Sequence, residues 1–481
     1  MKNPLNRRLP RELKSDIGKY IVIFIFLVAT IGFVSGFLVA GSSMKTAFDE
    51  SFDKNNIEDG YFVLDDKMTD ELNTKLENQD IKLYENFYKE ESYKNAAYRI
   101  YKNRNDVDKI ELFEGEFPKQ DDEIAIDRLF GENNNINIGD KAELDGRQYK
   151  VSGYVAFPDY TALFKNNTDM MFDAQNFTVA VVTDNAFDKI SDKHLHYCYS
   201  YTFNDSSLTE QQKHDKNTDL KELIAKNAVM NNFVSELDNQ AIHFSGDDIG
   251  SDTSMMITLL YIVIAIMAFV FAVTTSNTIE KESAVIGTLR ASGYTKGELL
   301  RHYLLLPVVV TIVGEILGNV LGYTVLKDIV ANIYYGSYSL GPYVTLWNGY
   351  AFVITTVVPC IIMVIVNIFI LSKKLALSPL KFLRRDLSKK EKKKVAKLPN
   401  FKFMTRFRLR VIFQNKSSYI VLFVGILFSN LILMFSLMLP PLLDNYKTEV
   451  IDNMICDYQY ILKMPVETDT KGAEKYAITT L

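Results

Sequence analysis

The chain has 481 residues, 23% of them charged, a formal net charge of −5 and a mean hydropathy of −0.01. So neutral a mean beside so much charge excludes an evenly polar soluble chain, because long apolar runs alternate here with very polar stretches. Three cysteines, Cys198, Cys360 and Cys456, are too few and too scattered for a disulfide framework or a thiolate metal site.

Five apolar runs, Tyr20–Ala40, Met255–Ser276, Tyr303–Leu326, Gly349–Leu371 and Tyr419–Leu439, reach the ~20 residues that cross ~30 Å of hydrocarbon as helix. The first follows basic residues and ends at Ala40-Gly41-Ser42, but its apolar core exceeds the ~7–15 residues of a cleaved leader, so it reads as an uncleaved anchor. Residues 1–19 hold six Lys and Arg, and residues 373–416 hold sixteen against Asp386 and Glu391, a local balance of +14. Both segments belong in the cytoplasm by the basic-residue rule. The stretch 44–254 has 23 basic and 43 acidic residues, and an odd number of crossings separates it from each basic flank, so it lies outside.

The predicted fold class is therefore a multi-pass α-helical protein of the cell membrane with an external α+β domain. Its predicted parts are a cytoplasmic amphipathic segment (1–19), a span (20–40), the extracytoplasmic domain (41–254), a span (255–276), a cytoplasmic loop (277–302), a span (303–326), an outer loop (327–348), a span (349–371), a basic cytoplasmic linker (372–418), a span (419–439) and a second extracytoplasmic region (440–481). The last two parts read as the start of a second repeat. "KYIVIFIFLV" at Lys19 is similar to "SYIVLFVGIL" at Ser418, and "DGYFVL" at Asp59 to "DYQYIL" at Asp457, although apolar helices align easily by chance.

Within the external domain, alternating residues flank Asp145-Gly146 in "AELDGRQYKV", a two-residue hairpin signal. Thr209 and Gln212 have capping-box spacing, and Leu220, Leu223, Ile224, Phe233, Val234 and Leu237 suggest one long amphipathic helix leading towards the second span. His194 and His196 in "KHLHY" are a weak metal signal, read as a solvated pair.

The loop "IEKESAVIGTLRASGYTKGELLRHYL", Ile279–Leu304, carries seven charged residues. Val285, Ile286 and Leu289 fall at helical spacing, Gly293 can supply a left-handed stop, and Thr295 with Glu298 has capping-box spacing. A short amphipathic helix at the cytoplasmic surface results. It is either an ordinary interfacial connector or a docking element, with Ile286 and Leu289 as anchors and Arg290 at the rim.

Small residues recur every fourth position at Gly32, Gly36 and Ala40 and at Gly314, Gly318 and Gly322, two candidate close-packing stripes. Glu315 is an ionisable group inside the third span, read as a structural hydrogen bond or a proton-transfer group. Tyr334, Tyr335, Tyr338, Tyr343 and Trp347 in the outer loop suit an aromatic belt at headgroup level. The run "KKEKKKVAK" at 389–397 suits anionic lipid or a solvated linker.

"ESAVIGTLRASGYTKGEL" resembles the coupling-helix signature of FtsX/MacB-type ABC transporter permeases through Glu282, Ile286, Gly287, Leu289, Arg290, Ala291 and Gly293. "GEFPKQDDEIAIDRLF", "INIGDKAEL" and "YKVSGYV" resemble the external core domain of that family, and "LSPLKFLRRD" its Pro-x-x-x-Leu-Arg element after the fourth span. The resemblance implies that the loop contacts a separate ABC ATPase, expected as a dimer. It also implies that the output is export or extraction of a lipid, lipoprotein or peptide, or activation of an envelope enzyme. No G-x-x-x-x-G-K-[ST] motif is present, so the chain reads as a non-enzymatic subunit without a cofactor, with membrane lipids, an external substrate or envelope protein as further partners and no nucleic acid. The alternative is a membrane-anchored sensor or binding protein without ATP coupling, which would need no structured docking helix.

Overall fold

A computed structural model describes residues 5, 8–15, 17–384, 402–414, 416–452, 465–467 and 476–478. The chain divides into two compact units, Met1–Arg385 with Lys463–Leu481, and Asp386–Leu462, each described by itself.

The first unit opens with α1 (Leu9–Ser15) and the 39-residue α2 (Ile17–Asn55). No proline interrupts α2, so it runs fifteen residues past Ala40, where the first span was expected to end. It stops at Asn55, followed by Asn56 with φ +50°, a left-handed position that asparagine tolerates. A sheet domain follows. Its strands are β1 (Gly60–Leu64), β2 (Ile81–Glu85), β3 (Tyr88–Tyr93), β4 (Ala96–Lys102), β5 (Glu111–Gly115), β6 (Glu123–Asp127), β7 (Lys141–Leu144), β8 (Arg147–Ala156), β9 (Phe177–Val182), β10 (Leu195–Phe203) and β11 (Met230–Ser235).

These strands form one mixed sheet in the order β11-β1-β10-β3-β4-β9-β6-β8-β5, with β2 beside β10 and β7 beside β8. The pairs β4/β9 and β6/β8 are parallel, and β9, "FTVAVV", is buried at every residue, which explains its unbroken apolar run. Asp145-Gly146 is the predicted hairpin turn. Leu144 pairs with Arg147, and φ is +49° at Asp145 and +70° at Gly146, the left-handed pair a two-residue turn needs. Helices α3 (Asp70–Glu77), α4 (Arg128–Asn133), α5 (Asp184–Lys189) and α6 (Glu210–Asn227) punctuate the domain, and Leu72, Leu76, Leu220 and Ile224 of α3 and α6 share a buried cluster with Phe62, Tyr199 and Tyr201.

Thr209 and Gln212 form the capping box of α6, but the single long helix expected beyond it is corrected. α6 ends at Asn227, and Phe233 and Val234 lie in β11 opposite Phe62 and Tyr61 of β1. Val229 and the pair Asn231-Asn232 are poor helix formers, and cross-strand pairing satisfies this stretch better than helix.

After the sheet domain, α7 (Gln240–Lys281) runs unbroken for 42 residues. Next come α8 (Ser283–Ala291), α9 (Lys296–Tyr335), α10 (Gly349–Leu375) and α11 (Pro379–Leu383). Among the described residues, α2, α7, α9 and α10 are long and apolar enough to cross a membrane. Each of α9 and α10 contains a wide i→i+5 turn, at Gly322–Leu326 and Val353–Val357. Among the described residues, one large buried cluster joins Val179, Val181 and Tyr101 of the sheet to Met44 of α2, Ile249 of α7 and Tyr334 of α9, so all three helices reach the domain's core.

The second unit contains α12 (Phe403–Gln414) and α13 (Lys416–Asp452), and the fifth apolar run, Tyr419–Leu439, is helical within α13. The 389–397 basic run, "DYQYIL" and Cys456 lie outside the described residues.

Candidate functional site

The turn from α7 into α8 is made at one residue, Glu282, whose φ of −92° and ψ of 12° end one helix while its backbone starts the next. α8 closes as its sequence indicated: Gly293 takes φ +98°, and Thr295 with Glu298 forms a capping box at the start of α9, the Thr295 N–H donating to Glu298 Oε2 at 2.8 Å.

The orientation of α8 corrects the expected anchors. Ile286 is fully buried within the chain, and a Cβ on Gly287 would meet Leu383 Cγ of α11 at 2.9 Å. Arg290 donates from Nη1 to the Leu375 carbonyl at 3.0 Å and Leu289 is half-buried, so these residues hold α8 to the bundle rather than form its rim. The face left open is Val285, Thr288 and Ala291, followed by Gly293 and Lys296 after the turn. Alternation alone could not decide which side faces out, because the cover comes from α11, which carries the Pro379-x-x-x-Leu383-Arg384 element.

Glu282 also anchors a charged cluster. Its Oε2 accepts from Tyr303 Oη at 2.6 Å and Arg8 Nη2 at 3.4 Å, while Arg8 Nε lies 3.1 Å from Glu12 Oε1 and His302 Nε2 lies 3.1 Å from Glu12 Oε2. Burial pushes the Glu12 carboxyl up, but His302 and Arg8 together hold it below the ordinary range. Only Arg8–Glu12, four residues apart, is a pair that sequence spacing could suggest; the contacts that join this segment to Glu282 and His302 span 274 and 290 residues.

Within the bundle the two small-residue stripes face each other. Cβ atoms on Gly314 and Gly318 would meet Leu27 Cβ at 3.2 Å and Ile31 Cβ at 2.9 Å, and one on Gly322 would meet Gly32 O and Gly36 N at 2.9 Å. Gly32 and Gly36 thus line the α2 side of a backbone-to-backbone approach, and Ala40, one turn on, is buried in the cluster shared with the sheet domain. Asn319 ties the crossing: its Oδ1 accepts from Ser35 at 2.8 Å and Thr355 at 3.0 Å, and its Nδ2 donates to Thr356 at 2.9 Å. Thr275 of α7 donates to Asn367 of α10 at 2.7 Å. Glu315 is fully buried, and neither carboxylate oxygen has a hydrogen-bond partner.

At the other end of the bundle, the loop 336–348 is fastened to the sheet domain. Arg128 is 2% exposed and donates from Nη2 to the carbonyls of Tyr335 at 2.8 Å and Tyr338 at 2.9 Å, with its guanidinium over the rings of Phe113 and Tyr335. Ser339 donates to Asp127 through its hydroxyl and to the Thr161 carbonyl through its N–H. Tyr334 and Tyr338 donate to Asp252 and Asp248 of α7 at 2.9 and 2.8 Å. The aromatic-belt reading is therefore corrected for Tyr334, Tyr335 and Tyr338, which pack between domain and α7; Trp347 is exposed and stacks on Tyr323.

Burial raises the Asp127 carboxyl to about 6, against the pull of its bonds from Ser339 and Phe130. A carboxyl raised on folding stabilises most below its unfolded value near 3.8, and that contribution is lost as pH rises through about 6. The wild type is therefore expected to lose on the order of 2–3 kcal/mol between pH 4 and 7 relative to Asp127→Asn. Thermal unfolding of both in nanodiscs across that range checks this, and parallel pH profiles would refute it.

His194 lies in the turn before β10 with Nδ1 3.0 Å from the Glu90 carbonyl, and His196 stacks on Tyr88, so the two rings are separately engaged. Among the described residues no group of three or more His, Cys, Asp or Glu is placed to hold a metal ion. Cys198 is buried and burial raises its thiol pKa.

Residues 257–376, which include α8 and most of the bundle, match the FtsX-like permease C-terminal family, consistent with the FtsX/MacB-type permeases. No curated protein matches the chain. Members of that family are membrane permease components of ABC transporters, transmembrane subunits that work with a separate ABC ATPase.

Proposed function

We propose that this chain, with an FtsX-like permease domain at residues 257–376, is a multi-pass cell-membrane subunit that passes movement from a cytoplasmic ATPase to an external domain. α8 is its coupling helix, and the sheet domain, which resembles the core domain of MacB-type permeases, is the part moved. The observation that carries this reading is the continuity of α7. It turns into α8 at Glu282, crosses the apolar bundle, and enters the sheet domain's buried cluster through Ala241 and Ile249. At 1.5 Å per residue it spans about 63 Å as one rigid element. α2 is a second such rod, joined to α9 by the glycine contact.

The residues between these ends support motion rather than a wet path. Glu315 is buried without a partner, and Asn319 and Asn367 are spent on interhelical bonds, which leaves few polar groups to line a pore. The output is export or extraction of a lipid, lipoprotein or peptide, or activation of an envelope protein.

The open face of α8 supplies the test. Replacing Val285 and Ala291 with aspartate places two charges on the open face of α8 without touching Ile286 or Gly287, and is expected to lower co-purification of the ATPase at least about tenfold, as for loss of a central apolar contact. Membrane insertion and thermal stability should stay unchanged. Undiminished co-purification would move the ATPase contact elsewhere.

A further inference from the structure

We infer that Arg8, just before α1, and Glu12 within it are positioning residues for the coupling helix, adding to its α11 contacts a tie from the α7–α8 turn to α9 that makes α8 move as one body with the bundle. The inference rests on the reading of α8 as the ATPase contact and concerns how force leaves it.

A helix joined to its neighbour through one residue can pivot there, and a push on it is then absorbed by the pivot. Glu282 is that residue. Its side chain makes no capping bond, so it is free to be held from outside the helix. One tie is direct, from Tyr303 in the second turn of α9. The other is indirect: Arg8 bridges Glu282 to Glu12, and Glu12 takes the Nε2 side of His302, the residue before Tyr303 and only 5% exposed. The two routes meet on adjacent residues of α9, so Glu282 is constrained from two directions.

Arg8 is the keystone because it separates two carboxylates. Without it, Glu12 and Glu282 would face each other with like charge across the cluster, which pushes α1 away and leaves Glu282 only the Tyr303 bond, so that the α11 contacts of Gly287 and Arg290 hold α8 without a fixed pivot. The side chains of Arg8, Glu12 and Glu282 are 30%, 16% and 21% exposed, so the pairing is less screened than on an open surface. They line a cavity of about 430 Å³ with His302 and Tyr303, beside the turn at Glu282. α1 thus acts as a strap across the pivot.

The test compares wild type, Arg8→Ala and Arg8→Lys in nanodiscs. Hydrogen exchange of the α8 amides, measured without any ATPase, is expected to be about tenfold faster in Arg8→Ala and near wild type in Arg8→Lys, which retains the charge. With ATPase added, Arg8→Ala should keep ATPase binding and hydrolysis but lose ATP-dependent displacement of the sheet domain. Unchanged α8 exchange in Arg8→Ala, or displacement retained at wild-type size, overturns the positioning role. If the ATPase binds the Val285→Asp, Ala291→Asp variant as well as it binds wild type, the ATPase reading fails instead, and the exchange result alone decides whether α1 straps α8.

Discussion

Arg128→Ala is expected to release the 336–348 loop from the sheet domain while the domain's own core stays folded. The side chain is almost fully buried and gives one nitrogen to the carbonyls of Tyr335, where α9 ends, and Tyr338 in the loop, and another to Glu132. Alanine leaves both carbonyls without their charged donor in a buried site, at ~1–3 kcal/mol each, and removes the cation from between Phe113 and Tyr335, so a loss of roughly 3–5 kcal/mol in docking is expected. The core formed by β4, β6 and β9 does not depend on these bonds. Proteolysis within 336–348 should accelerate by more than a hundredfold, since about 2.7 kcal/mol corresponds to that factor, while exchange in β9 stays slow. Arg128→Lys should recover only part of the effect, because one ammonium cannot reproduce the planar fork. Equal cleavage of wild type and Arg128→Ala would show that the loop is held by its tyrosines alone.

The second large effect is expected at the glycine contact. A side chain on Gly322 would meet Ser35 Cβ at 2.8 Å and backbone atoms of Gly32 and Gly36 at 2.9 Å, and backbone cannot rotate aside. Gly322→Leu must therefore separate α2 from α9, which also pulls Ser35 off Asn319. Overpacking of this kind costs ~1–3 kcal/mol even where neighbours can adjust, and the backbone neighbours here place it at the upper end. Gly250→Ala, in α7 with nothing within 4 Å of the added atom, is the control and should be neutral or slightly stabilising. A Gly322→Leu protein as heat-stable as wild type would mean the close approach is not needed.

What could be read from the chain beforehand was local chemistry. Asp145-Gly146, the two capping boxes and Gly293 depend on residues within four positions of one another, and each took its expected geometry. The apolar stretches of α2, α7, α9 and α10 were equally plain, because hydrocarbon demands length and composition of a single segment. The failures came where a distant segment decides. Phe233 and Val234 fit a helical period, yet β1 was waiting to pair with them. Ile286 fits an exposed stripe, yet it is fully buried within the chain where α11 packs on its neighbour Gly287. The tyrosines after α9 fit a headgroup belt, yet Arg128, Asp248 and Asp252 hold the segment against the domain and α7. Beyond the i,i+4 spacing of Arg8 and Glu12, the cluster with Glu282 and His302 had no sequence signal, because a charge next to an apolar run reads as solvated until its distant partner is seen.

Mechanical coupling is tested most directly by the distance between the sheet domain and the outer end of the bundle during turnover. Spin labels at Gly146, on the open tip of the β7–β8 hairpin, and at Tyr350, exposed at the start of α10, report it without touching the core or α8. In the complex with its ATPase in nanodiscs, two discrete distance populations should be present, with ATP shifting weight from one to the other and ADP restoring it. A single distance distribution, unchanged by nucleotide while ATP is being hydrolysed, would contradict the mechanical reading and favour a path through the helices around Glu315.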